Sequence, residues 1–428
     1  AAGSVGAVTL DFDFDLAEAS VTGGDGADLI NISLGALGLN DSIDGGAGDD
    51  TIKYEGTADR TSTAIVSNAL STISNVETLE LEGDDDGGAG AADYTVDMDS
   101  FEGVTSLVLD ANDTNAINIF TLNDLSVAQM AGISVQAVAG GATVIVDAKD
   151  GAGTSDTVTI AAALGSGAGT LLVTDSTAAG AVESLVLTAT GNADQTVAIT
   201  VGDFAGDASG DGSITISGGA ADRTMTITNA LTADTVNLSG VLSDLTVTLG
   251  AADIAYTGGA GTDTITMGTT LTSGDAIDGG AGTTDVLSIA PTTSSLAALT
   301  ISNVETLRVG GQGTATNNMA GVTGINSLDI DISTAATGTQ TLQSFTGLTS
   351  IKIDADSNTA ANNDYQAVTI TNGFTGAADA LSIDINSDGT NGMGGTEGLI
   401  SAAGVETLTI TLDGGEVVQM GGFTSTTL

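Results

Sequence analysis

Cysteine, histidine and tryptophan are absent from this chain, proline occurs once, and only six of its 428 residues are basic. Each absence closes a class of chemistry. Without Cys there is no disulfide framework and no thiolate metal site, although an extracellular address stays open. Without His there is no Ser-His-Asp constellation and no imidazole ligand. The cations Lys53, Arg60, Lys149, Arg223, Arg308 and Lys352 are scattered and cannot assemble the basic footprint that nucleic acid requires. No run of eighteen apolar residues occurs, so no membrane span is expected. Aromatics make up 3% of the chain, and with four Tyr and so few Arg the means of holding a sugar for cleavage are missing. The chain is therefore not expected to be an enzyme. Ala1-Ala-Gly-Ser shows neither a basic n-region nor an apolar h-region. Three explanations fit: a removed signal, a C-terminal export signal, or a segment of something longer.

What is present is glycine and acid. Sixty-one Gly and 55 Asp and Glu leave a formal net charge of −49. A 41% apolar content is too high for a disordered acidic chain. The chemistry left open is a hard-cation site built from oxygens, or no site at all.

The sequence repeats itself. Gly23-Gly-Asp-Gly-Ala-Asp28-Leu-Ile is followed 22 residues later by Gly45-Gly-Ala-Gly-Asp-Asp50-Thr-Ile. Gly258-Gly-Ala-Gly-Thr-Asp263-Thr-Ile is followed 21 residues later by Gly279-Gly-Ala-Gly-Thr-Thr-Asp285-Val. Ile-Asp precedes the second element of each pair (Asp44, Asp278), and both pairs run on to Ile-Ser-Asn-Val-Glu-Thr-Leu at 73–79 and 301–307. A shorter beat, Gly-x-x-Asp before alternating apolar residues, recurs at Asp59, Asp93, Asp156, Asp194, Asp222, Asp253, Asp285 and Asp379. Glycine supplies the positive φ of a tight turn, and Asp closes it by accepting a backbone N–H. The residues that follow alternate with strand periodicity. Turn, short strand, turn, repeated along the chain, predicts an all-β fold of β-solenoid or β-roll-like coils and small β-sandwich modules. The boundaries expected are an N-terminal strand at 1–22, a first β module at 23–250 and a second at 251–428. Short helices are expected at 63–72 and 122–130.

Successive glycine turns present carbonyl oxygens, and the Asp carboxylate reaches across to the neighbouring turn, an all-oxygen cage that suits calcium. The candidate ligands are Asp25, Asp28, Asp44, Asp49, Asp50, Asp263, Asp278 and Asp285. About eighteen residues complete a coil of nonapeptide repeats, so the spacings place Gly23 near Gly45 and Gly258 near Gly279 on one edge. Asp41 and Asp275 then belong to degenerate turns on the opposite edge. The competing reading of every one of these residues is an Asx-closed turn without an ion. Asp384-Ile-Asn-Ser-Asp388-Gly is similar to the opening of an EF-hand loop, but Gly395 stands where its bidentate Glu belongs. Asp84-Asp-Asp-Gly-Gly reads equally as a solvated turn. In Val-Glu-Thr-Leu, alternation places Val76 and Thr78 on one side and Glu77 and Leu79 on the other, a structural ladder. At the start of the chain Val8, Leu10, Phe12, Phe14 and Leu16 alternate with Thr9, Asp11, Asp13 and Asp15. This strand is expected either to complete a sheet in a neighbouring copy or to cap its own first coil.

The paired Gly-Gly-x-Gly-x-Asp elements resemble RTX calcium-binding repeats. Their coupling to Val-Glu-Thr-Leu strands, in a Thr-, Ala- and Gly-rich acidic chain without Cys, resembles the crystalline surface-layer proteins of Gram-negative bacteria. The wording is close over 23–83 and 258–311. The resemblance implies type I secretion, calcium-dependent folding and calcium-dependent self-assembly on the cell surface, with cell-surface polysaccharide as a further partner. The chain departs from the pattern in lacking a long tandem nonapeptide block and a helical N-terminal anchoring domain. After Gly279 and Gly87 the Asp also comes one place late (Asp285, Asp93). A matrix filament subunit, an adhesin spacer and a halophile surface protein remain as alternative readings.

Overall fold

The structure is a computed structural model. It describes residues 7–13, 20–34, 41–54, 63–65, 72–83, 93–111, 117–138, 140–149, 156–164, 169–175, 182–200, 203–204, 212–250, 253–268, 271–289, 300–309, 315–320, 322, 324–331, 339–354, 367–376, 378–386 and 400–413. The chain forms two compact units, residues 1–243 and 244–428. Both are stacks of short parallel strands, the all-β solenoid that the turn-and-strand rhythm predicts.

In the first unit one sheet stacks Thr9–Asp13, Leu29–Leu34, Thr51–Tyr54, Thr78–Glu82, Ser106–Asp110, Ile133–Val138, Thr157–Leu164, Ser184–Thr190, Ser213–Gly218 and Thr235–Val241 in chain order. A second sheet stacks Thr63–Ile65, Asp93–Asp97, Asn118–Leu125, Ala142–Ala148, Thr170–Asp175, Gln195–Ile199 and Thr224–Ile227. A short third sheet holds Ser20–Thr22, Ser42–Asp44 and Thr72–Ser74. The second unit stacks Asp244–Thr248, Thr264–Gly268, Val286–Ile289, Thr306–Val309, Ser327–Asp331, Ser350–Asp354, Ala380–Asn386 and Thr407–Asp413 in one sheet. Ala255–Thr257, Ala276–Asp278 and Thr300–Ser302 lie in another, and Ala315–Asn318, Thr339–Gln343, Ala367–Thr371 and Ile400–Ala402 in a third.

Parallel stacking sets the same position of every coil above itself. In the first unit the paired residues run Ile30, Ile52, Leu79, Leu107, Ile133, Ile160, Leu187 and Ile216. All are buried, and each such side chain contributes roughly 2 kcal/mol of transfer free energy. The equivalent column of the second unit is Val247, Ile265, Leu287, Leu307, Leu328, Ile351, Ile383 and Ile410. Only its last member is open, Ile410 being 41% exposed. Along a strand such as Ser184–Thr190 buried residues alternate with more open ones, and Ser184, Thr188 and Thr190 take outward positions. Stacked rings of Tyr94 and Phe120, 5.9 Å apart, fill one of the few wide places in a core of branched aliphatics.

Some local expectations are corrected. In 63–72 the described residues are extended, Thr63–Ile65 and the start of Thr72–Ser74; its Thr, Ser and Ala carry no helical apolar stripe. Of 122–130 only Val127–Met130 is helical, held by a Ser126–Gln129 capping box, and Leu122 to Leu125 finish a strand. In the Val-Glu-Thr-Leu word Val76 and Leu79 are both fully buried while Glu77 is not. The chain bends at Asn75, Val76 and Glu77 belong to no strand, and the strand proper starts at Thr78. The N-terminal strand Thr9–Asp13 pairs with Leu29–Leu34 of its own chain and, among the described residues, ends its sheet. Phe14 and Leu16 lie outside the described residues, as do the side chains of Leu10 and Phe12, and Asp59, 84–88, Asp388 and Gly395.

Candidate metal centre

The turn after Ser20–Thr22 and the turn after Ser42–Asp44 lie one above the other. Gly23 donates its N–H to Asp44 O, Ala47 donates to Gly24 O, and a Cβ added at Gly23 would fall 1.8 Å from Gly45 O. No residue with a side chain fits there. In the second unit Gly258 donates to Asp278 O and Ala281 to Gly259 O, and a Cβ at Gly258 would fall 2.1 Å from Gly279 O. The proximities expected from the 22- and 21-residue spacings are thus present in both copies.

Each turn closes over a buried carboxylate. Asp28, Asp50, Asp263 and Asp285 are 2%, 0%, 0% and 0% exposed, so their charges are enclosed by the coils rather than set on the surface. In the first turn of each pair the carboxylate is fully engaged. Asp28 Oδ1 accepts Val8 N–H, and its Oδ2 accepts Gly24 N–H across a short contact. Asp263 Oδ1 accepts Leu245 N–H at 3.0 Å, and Oδ2 accepts Gly259 N–H at 2.8 Å.

The second turns differ, and differ identically. Asp50 Oδ1 accepts Asp28 N–H at 2.7 Å, and Asp285 Oδ1 accepts Asp263 N–H at 2.8 Å. Asp50 Oδ2 and Asp285 Oδ2 are buried without a hydrogen-bond partner. The glycine N–H that closes the first turns is turned away here. Gly46 and Gly280 adopt φ of +101° and +104°, and their N–H groups go to Asp44 Oδ1 and Asp278 Oδ1, at 3.2 and 3.1 Å. Those oxygens also accept Asn75 Nδ2 and Asn303 Nδ2, both at 2.8 Å. Asn75 and Asn303 sit at φ 51°, a left-handed position that Asn tolerates better than other side chains.

Burial is the main cause pushing the carboxyls of Asp50, Asp263 and Asp285 up. Asp263 and Asp285 are raised to about 6, by desolvation first. Backbone N–H groups oppose this, and neighbouring charges, Asp285 and Asp244 for the one and Glu305, Asp244 and Asp278 for the other, reinforce it. Asp50 is raised for the same reason, with Asp28, Glu77 and Asp49 adding to the effect. Tyr256, buried near the second pair, is held well above its ordinary value by burial and by Asp263 and Asp285.

One set of residues has a role that the alternation of its strand hides. The N–H groups of Asp50, Asp156, Asp285 and Asp379 are accepted by the carboxylates of Glu77, Glu183, Glu305 and Glu406, one coil on, at 2.7–2.8 Å. Each of those Asp carbonyls in return accepts the N–H of that Glu and of the residue after it. The recurring Val-Glu-Thr/Ser-Leu word is therefore a clasp that satisfies the backbone at a corner. The signal for it in the sequence was the Glu itself, retained beside a buried Val in every copy. Replacing Glu183, 2% exposed, by Ala leaves Asp156 N–H without its acceptor and is expected to cost about 1–3 kcal/mol. Glu183→Gln retains an acceptor oxygen and should cost less than half of that, both read from urea midpoints at constant slope.

Among the described residues no group of three or more acidic side chains converges as a ready-made cage. The donors that do converge are one carboxylate oxygen and backbone carbonyls. Asn75 O and Asp50 Oδ2 both lie close to Gly45, 1.9 and 2.6 Å from where an added Cβ would stand, and Asn303 O and Asp285 Oδ2 lie 1.8 and 3.0 Å from the same position at Gly279. These positions are a bond length from each glycine Cα, so they mark the nearness of the oxygens to one another and not the place of an ion. At Gly282 the neighbours are Gly261 O and both Asp285 oxygens. Hard oxygens around an orphaned, enclosed anionic atom fit calcium in kind. Asp25 and Asp49 are exposed and take no part in closing the turns. Asp41 and Asp275 are buried, and Asp275 closes its own turn by accepting Ile254 and Thr272 N–H. At the single Gly-x-x-Asp turns, Asp379 accepts Gly376 N–H as an Asx closure, while Asp222 and Asp253 are exposed.

No family model, no curated protein and no solved structure matches this chain.

Proposed function

We propose that this chain is a structural subunit of an extracellular surface layer, that calcium seated in its paired glycine turns braces it, and that it assembles with copies of itself. One observation carries the reading. Two separate units each enclose a buried carboxylate oxygen with no partner, Asp50 Oδ2 and Asp285 Oδ2, in a chain of net charge −49. An enclosed anionic oxygen without a donor is costly, and a divalent cation beside it offsets that cost while reducing the self-repulsion of the whole chain. The repetition of the arrangement in both units speaks for a use beyond turn formation.

The remaining chemistry agrees with a scaffold. Lys53 is held between Glu80 and Glu82 at 3.0 and 3.1 Å, Lys149 by Asp99 and Arg308 by Asp329, so these cations neutralise the chain's own acids. No helix among the described residues is long and apolar enough to cross a membrane. For attachment to a cell, cell-surface polysaccharide is the candidate partner. Electron microscopy of purified protein with millimolar calcium, and after chelation, tests the reading. Ordered sheets that disperse in chelator are expected. Filaments would favour a matrix role, and monodisperse particles unaffected by calcium would overturn self-assembly.

A further inference from the structure

We infer that each module takes its cation at the second glycine turn only, and that Asp44 with Asn75, and Asp278 with Asn303, are the positioning residues that keep that turn open. The inference rests on the calcium reading above and deepens it by naming what selects the site. The two turns of a pair carry the same glycines and the same buried Asp, yet one carboxylate is saturated and the other is not. The difference lies in one N–H. Gly24 and Gly259 give theirs to the carboxylate of their own turn. Gly46 and Gly280 give theirs to the Ile-Asp carboxylate that precedes the turn.

That diversion is built, not incidental. Asp44 Oδ1 is fixed from the next coil by Asn75 Nδ2, and Asp278 Oδ1 by Asn303 Nδ2, with equal distances and equal Asn backbone angles in the two units. The same Asn residues present their carbonyl oxygens toward Gly45 and Gly279, beside the free carboxylate oxygen. A single residue of the next coil thus holds the diverting Asp with its side chain and supplies a donor with its backbone. In the first turns no such clasp is present: the residue preceding Gly23 is Thr22, and the residue preceding Gly258 is Thr257. With a Thr there, nothing competes for the Gly24 or Gly259 N–H, and the turn closes on itself.

Calorimetric titration of the full chain with calcium chloride, after chelator treatment and dialysis, tests this. The wild type is expected to bind one ion per module. Asp44→Ala with Asp278→Ala releases the two glycine N–H groups to Asp50 and Asp285, copying the closed turns, and should weaken calcium binding by about tenfold or more. Asp44→Asn with Asp278→Asn preserves the accepting oxygen without the charge and should retain one ion per module with affinity within several-fold of wild type. Circular dichroism of each variant without calcium reports whether the coils persist. Binding of two ions per module, or equal loss in the Ala and Asn variants, would overturn the inference while leaving calcium binding intact; the second result would make Asp44 and Asp278 ligands. No calcium binding by the wild type at all would remove the functional reading and this inference together.

Discussion

A single methyl group added at Gly45 is expected to cost about 3–5 kcal/mol, enough to unfold the first module in a chain of ordinary marginal stability. The added Cβ would stand 1.9 Å from Asn75 O and 2.6 Å from Asp50 Oδ2, where van der Waals contact begins above 3 Å. Neither neighbour is free to yield. Asn75 O belongs to the backbone of the next coil, and Asp50 is pinned through Oδ1 by Asp28 N–H. Relief would require the coils to separate, and the Gly45 N–H to Ser74 O bond at 3.0 Å would break first. Gly268→Ala is the control. That residue has φ +54° with nothing within 4 Å of an added Cβ, so only the left-handed backbone penalty of about 1 kcal/mol applies. Urea unfolding of the two variants should therefore separate them by about 2 kcal/mol or more. Equal losses would show that the stacked turns part easily and that no tight oxygen cradle exists.

In calcium-free buffer the second unit is expected to become more stable as the pH falls from 7 to about 4.5, against the usual behaviour of paired carboxylates. Asp263 and Asp285 are raised to about 6 by burial, so the folded chain binds protons more tightly than the unfolded one between that value and the ordinary carboxyl range. The penalty is fully present above the folded value and is relieved as the pH falls through it. For the two groups together this amounts to about 3–5 kcal/mol. Asp50 acts in the same direction in the first unit. Saturating calcium reverses the sign. An ion bound to the charged form stabilises the folded state at neutral pH by roughly 3 kcal/mol per site at a hundredfold excess over its dissociation constant. Protons then compete with the ion, and stability drops on acidification. Thermal melts across this pH range with chelator and with calcium should give slopes of opposite sign. Parallel slopes would count against an ion at these carboxylates.

Much of the arrangement was legible in the residues. The repeated glycine words placed Gly23 over Gly45 and Gly258 over Gly279 because a solenoid converts sequence period directly into spatial adjacency. The burial of Asp28, Asp50, Asp263 and Asp285 was not legible in the same way, because it depends on how closely one glycine turn lies over the next. What separates Asp28 from Asp50 could not be read, because it depends on which way one peptide plane faces. Gly24 and Gly46 are the same letter, and only the φ of Gly46 sends its N–H to Asp44. Glu77 was misplaced because strict alternation was carried through a corner where the backbone bends. In the Thr63-to-Thr72 stretch the described residues Thr63–Ile65 and Thr72 are extended, because each stacks on a strand of a neighbouring coil, a pairing that local composition does not reveal. Tyr256 beneath the second pair of carboxylates stands where the first unit has Val21, a contrast that becomes meaningful only once the coils are aligned.

The columns of like residues have a consequence for how damage spreads. Leu307 meets Leu287 and Leu328 along its column, and the pattern repeats at each level, so each coil is held chiefly by the two beside it. Such a stack behaves as a one-dimensional array in which stability is a sum of rung and neighbour terms. A lesion in the middle is confined to a few rungs, whereas Thr407–Asp413, which bears the exposed Ile410 and among the described residues pairs on one side only, is a natural place for fraying to start. Loss of order in such a stack is therefore an erosion from an open rung, and a protein built this way can lengthen by duplication of whole coils without redesigning any of those it already has.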